Sequence, residues 1–94
     1  VKVYVAVVND RHADPEVTVY ADEGEAIKYA RGQAKEGAHE ESDYEEHPVN
    51  DAMQRLGWVF YASYSEESDS VWVVETELKM KTEEQQRWDK YWGM

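Results

Sequence analysis

The chain has 94 residues, no cysteine and a formal charge of −11, from 21 Asp and Glu against 10 Lys and Arg. That composition excludes disulfides, cysteine-ligated zinc and thiol catalysis, and the lack of a basic run argues against nucleic acid or an anionic membrane as partner. No apolar run approaches the roughly 20 residues that span a bilayer, and no signal-peptide pattern opens the sequence, so the expectation is one soluble, cytoplasmic domain over residues 1–94.

Residues 1–8, VKVYVAVV, are β-branched and apolar on both faces, which predicts a central strand. Val1, Val3, Val5 and Val7 share one face, and Lys2, Tyr4, Ala6 and Val8 the other. Residues 9–16, NDRHADPE, have turn chemistry, because Asn and Asp bond the local backbone and Asp14 precedes Pro15. Val17 to Ala21 then alternates, as the return strand of a hairpin does.

Asp22 is a suitable helix N-cap, with Glu25 three residues on as its capping-box partner. The helix it starts places Ala26, Ile27, Ala30 and Ala34 on one stripe, a narrow face that can lie close to a sheet. Gly32 weakens its middle, and Gly37 is the expected stop. Residues 38–47, AHEESDYEEH, are acidic and aperiodic and are expected to form a mobile surface loop. Pro48 suits a first helical turn, and Val49, Ala52, Met53 and Leu56 follow at helical spacing up to Gly57.

The densest apolar material lies in residues 57–78, where two runs of Trp, Tyr, Phe and Val flank the polar segment Ser65–Ser70. This is a hairpin pattern, and the core must form around it. In its second strand Trp72, Val74, Thr76 and Leu78 share a face, with Glu75 and Glu77 opposite, so the even face is the expected core side. Thr82 and Gln85 then suggest another capped helix, over 82–92, with Trp88, Tyr91 and Trp92 on one face. The order β-β-α-(short α)-β-β-α predicts a two-layer α+β fold with a mostly antiparallel four-stranded sheet; a split βαβ arrangement is the competing topology.

Few residues suggest chemistry. Asp10, His12 and Asp14 have spacing that could hold a metal or run acid–base catalysis, and His39 and His47 could join them. The simpler expectation is that they form a polar turn, with Asp10 and Asp14 bonding the local backbone and Arg11 neutralising one of them. No nucleotide-binding or nucleophile motif occurs, and Ser63, Ser65, Ser68 and Ser70 fit turns and strand ends. Nothing calls for a cofactor. Exposed tyrosines on a sheet could stack bases, but the Lys and Arg that track a phosphate backbone are missing.

The expected function is therefore that of a small acidic, non-enzymatic binding or regulatory protein acting through protein–protein contact. Its size and charge would also suit an inhibitor encoded by a phage or mobile element. Glu40, Glu41, Asp43, Glu45 and Glu46 are the candidate contacts to a partner with a basic surface. Trp88, Tyr91 and Trp92 are candidates for contact with a partner, the chain's own sheet or a second copy in a homodimer. The alternative is a small enzyme or metal-binding domain centred on His12.

Overall fold

The computed structural model describes residues 1–78, and most of its elements follow from the local signals in the sequence. Strands β1 (Lys2–Asn9) and β2 (Glu16–Tyr20) form the first hairpin, and helix α1 (Glu23–Gly37) comes next. A single 3-10 turn, Glu41–Asp43, leads into a two-residue strand, β3 (Glu45–Glu46). A short helix, α2 (Asp51–Arg55), precedes the second hairpin, β4 (Trp58–Ser63) and β5 (Ser70–Glu77). The fold is α+β. Its sheet has five strands in the order β2-β1-β5-β4-β3, every neighbouring pair antiparallel, and not the four expected.

The fifth strand is the correction to the acidic stretch 38–47. Glu45 pairs with Ser63 and Glu46 with Ala62, and His47 N–H donates to the Tyr61 carbonyl at 2.9 Å. Composition suggested a bare loop because glutamates are poor strand formers; pairing to a strong neighbouring strand overrides that preference. Likewise α2 begins at Asp51, later than Pro48 implies. The Asn50 side chain caps it by accepting from Met53 N–H at 2.8 Å, and Leu56, assigned to its apolar stripe, is exposed.

Helix α1 is held as its sequence implies. Asp22 accepts from Glu25 N–H at 2.9 Å, and Glu23 and Glu25 lie at the positive end of the helix dipole. The helix runs unbroken through Gly32, which faces open space. Gly37 is its last helical residue and not a left-handed cap. It is required for a different reason: a Cβ there would lie 2.8 Å from Cε2 of the buried Tyr64 ring.

Ala26, Ala30 and Ala34 are completely buried against the sheet, whose contribution to the core is Ala6, Phe60, Ala62, Tyr64, Val71 and Val73. Alanine methyls let α1 approach closely, so the residues beneath must be small or flat. This reverses the expectation for β5: its odd residues Val71 and Val73 form the core, while Trp72 and Val74 point to the other face. Two indoles could not fit beneath an alanine stripe. In β4 a bulge lets the same rule operate. Trp58 pairs with Val74 but Phe60 with Val73, so the step from Trp58 to Phe60 crosses the sheet and only Phe60 reaches the core.

Gly57, at φ +91°, delivers the chain into β4, and its carbonyl accepts from Glu75 N–H at 2.7 Å. Any Cβ there would clash with the Glu75 carbonyl oxygen.

If the alanine stripe sets the helix–sheet distance, Ala30→Leu should destabilise the protein. Leucine is nearly as good a helix former as alanine, so on an exposed face the change would be close to neutral. Here the expected loss is about 1–3 kcal/mol from overpacking, read from the urea midpoint. An unchanged midpoint would show that α1 has room to spare.

Candidate functional site

The polar residues singled out by sequence fall into two separate places. Asp10, His12 and Asp14 lie in the turn between β1 and β2. Asp10 Oδ1 accepts from His12 N–H at 2.8 Å, closing a local turn, and its other oxygen accepts from Tyr64 O–H at 3.3 Å. The His12 ring is exposed, with Nε2 3.3 Å from Arg11 Nε and 3.6 Å from Glu67. A groove beside the turn is lined by Asp10, Asp14, Glu16, Glu36 and Tyr64, and His12 is not among its walls. The turn therefore has an acidic groove on one side and its histidine on the other. Among the described residues no group of three or more His, Asp or Glu side chains is placed to hold a metal ion.

The organising residue of this corner is one that sequence reading left in a turn. Asp69, 6% exposed, accepts from Arg11 N–H at 2.8 Å and from Ser65 O–H at 2.9 Å. Ser65 Oγ in turn accepts from the N–H groups of Glu67 and Asp69, and Arg11 forms an ion pair with Glu67 at 2.7 Å. Asp69 thus ties the tip of one hairpin to the tip of the other. The Arg11 N–H bond, more than any other influence, holds its carboxyl below the usual carboxylate range. Burial, and then the charges of Asp10 and Asp69, push the Tyr64 hydroxyl up to about 12, so it stays protonated as a donor. The signal in sequence was the S-x-x-x-D spacing of Ser65 and Asp69, which has no distinctive meaning without the fold.

The acidic stretch occupies the opposite edge of the sheet. Glu40 N–H donates to Asp43 Oδ2 at 3.3 Å and Asp43 N–H to the Glu40 carbonyl at 3.0 Å, which fixes the 3-10 turn. Glu46 is held by Arg31 of α1 in a two-point contact of 3.0 and 3.2 Å, and this pairing with Arg31 is the main cause of its lowered pKa. Lys35 Nζ lies 5.4 Å from the centre of the Tyr44 ring. Burial pushes the Tyr44 hydroxyl up to about 12, with the Glu46 carboxylate adding to the effect, and its oxygen is enclosed. Glu46 is thus spent on a structural contact. Glu40, Glu41 and Glu45 remain exposed along one rim, with Asp43 partly buried beside them.

His47 joins this edge in a way sequence did not show. Its Nε2 lies 2.8 Å from Ser63 Oγ, and its ring lies on Tyr61 with centres 5.0 Å apart. A serine–histidine contact invites a nucleophile reading. Among the described residues, however, no carboxylate hydrogen-bonds its other ring nitrogen, which a triad needs to orient the base. The contact pins β3 to β4.

Trp88, Tyr91 and Trp92 lie outside the described residues. No helix among the described residues is long and apolar enough to cross a membrane. No protein-family model, curated protein or solved structure matches the chain.

Removing the Asp69 carboxylate strands the Arg11 N–H and frees both loop tips. Asp69→Ala should cost about 1–3 kcal/mol. Because the folded-state pKa of Asp69 is depressed, its contribution is present at neutral pH and lost as pH falls through the acid range toward that value. The wild type should therefore lose stability on acidification more steeply than the variant. Parallel stability–pH curves would show that Asp69 is not the anchor.

Proposed function

We propose that this is a small acidic binding or regulatory protein that acts without catalysis, by contact with a protein partner whose surface is basic. The observation that carries the reading is the rim formed by Glu40, Glu41, Asp43 and Glu45. These carboxylates sit on a fixed 3-10 turn and a paired strand, while the nearest cations, Arg31 and Lys35, are turned to Glu46 and the Tyr44 ring. Negative charge at a fixed rim accelerates encounter with a basic surface and sets its register, more than it adds raw affinity. The same charge repels nucleic-acid phosphates and anionic lipid headgroups. Inhibition of an enzyme or nucleic-acid-binding protein through its basic groove is one form such regulation takes, as in an inhibitor encoded by a phage or mobile element. The cytoplasm is the proposed location.

The rival reading, an enzyme or metal site centred on His12 with Asp10 and Asp14, needs that histidine to face a pocket beside a second fixed group. The groove beside the turn is lined by the carboxylates without it. Calorimetric titration with Zn²⁺, Mn²⁺ and Ca²⁺ separates the two: one stoichiometric site tighter than about micromolar would favour the rival.

The direct test uses the full chain and a variant carrying Glu40→Gln, Glu41→Gln, Asp43→Asn and Glu45→Gln, with Glu46 left to Arg31. Both are immobilised and exposed to extract of the native host. A protein partner retained by the wild type should be lost by the variant and released as salt rises toward 1 M, where the screening length falls to about 3 Å. Equal recovery on both, or none that responds to salt, would overturn the acidic-rim reading.

A further inference from the structure

The face of the sheet turned away from α1 carries an unusual distribution of residues. The register places Val19, Val5, Val74 and Trp58 in one row across β2, β1, β5 and β4. Val17, Val7, Trp72 and Tyr61 form the next row. The indoles of Trp58 and Trp72 stack with centres 5.5 Å apart, and Tyr61 meets Trp58 edge-on at 5.6 Å. Neither row contains a charge, in a chain where 33% of residues are charged. Val17 and Val19 are each 59% exposed. The other six are half-buried, with the His47 ring on Tyr61 at the β4 end, and an apolar surface of this extent marks an interaction site.

We propose that the chain's own segment 82–92 is that cover, lying across the open face with Trp88, Tyr91 and Trp92 against the two rows. The point of departure suits it. The chain leaves from β5, the middle strand of five, and Leu78 N–H still bonds the Val1 carbonyl at 2.7 Å, so the exit is fixed at the end of the sheet beside these rows. Residues 79–81 reach about 10 Å, and an eleven-residue helix spans about 16 Å. The rows measure about 15 by 7 Å between their outermost Cα positions. That is the footprint of one short helix. A standard pair of proteins engages about 20–30 residues on each side, and these rows hold four residues each.

Charge points the same way. Residues 79–94 hold four of the ten basic residues and three of the 21 acidic ones, a net +1 beside −12 for residues 1–78. The segment is drawn to the body, whereas a second copy at −11 is repelled. The short tether also gives an effective concentration near millimolar, which a free partner rarely reaches. This assignment is independent of the acidic-rim function: it makes the open face an internal seat and leaves the rim for partners.

The lack of native cysteine permits a clean test on the full chain. A nitroxide is attached through Gln86→Cys, a position that helical spacing would set opposite Trp88, Tyr91 and Trp92, and amide signals are recorded from ¹⁵N-labelled protein. Signals of Val5, Val7, Tyr61, Trp72 and Val74 should be lost preferentially, and those of Lys28 and Gly32 on the outer side of α1 retained. Adding Trp88→Ala and Trp92→Ala should restore the lost signals. A mixture of ¹⁵N protein without label and ¹⁴N protein with label should show no loss. Loss that persists in that mixture would assign the face to a second copy, and even or absent loss in the labelled protein would show that the segment does not dock; either overturns the proposal. Lys90→Cys serves as a second attachment point if the first variant fails to fold.

Discussion

The contact between the alanine stripe of α1 and the sheet is the constraint on which the rest of the structure depends. Ala26, Ala30 and Ala34 present only methyl groups, and Gly37 extends the same face to the Tyr64 ring without any side chain. A helix this close leaves room for Ala6, Ala62, Val71 and Val73, and for aromatic rings only where they lie flat or at the ends. Each methylene in such a core is felt, since interiors are packed at crystal density. The small volume beneath the helix therefore decides which way every strand faces.

From this follows the location of the large aromatics. Trp58 and Trp72 carry more apolar surface than any residue beneath the helix, yet both lie on the other side of the sheet, where they stack on each other. The bulge between Trp58 and Phe60 is the backbone device that separates them, sending one ring outward and the other inward within three residues. Around the edges, polar contacts fix what packing does not. Asp69 joins the two hairpin tips, and the Arg31–Glu46 pair ties α1 to β3. The first is buried and costly to break; the second is half-exposed and worth at most about 1 kcal/mol.

Much of this was legible in the sequence. Both hairpins, the Asp22 cap and the alanine stripe follow from local chemistry, and the antiparallel α+β class follows from their order. What was not legible is non-local. Strand β3 exists because Glu45 and Glu46 find β4, and no periodicity in two residues reveals that. The core side of β5 was misassigned because both its faces are apolar at Val71–Val74, so alternation could not choose between them; only the helix above could. For the candidate site, sequence marked the carboxylates of the rim and of the first turn but not their uses. The Arg31 contact removes Glu46 from the rim, and the Asp10–Tyr64 and Asp69–Arg11 bonds turn a metal-like spacing into a loop anchor.

On this account α1 takes one face of the sheet, the opposite face is the proposed seat of segment 82–92, and the acidic edge is the proposed contact for a basic partner. The first two assignments depend on which side of β5 meets the helix. Proton–proton nuclear Overhauser contacts from the methyls of Ala26, Ala30 and Ala34 read this directly in solution. The account predicts cross-peaks from these methyls to the methyls of Val71, Val73, Ala6 and Ala62. Cross-peaks to the Trp72 indole or the Val74 methyls instead would place the even face of β5 under the helix and contradict it.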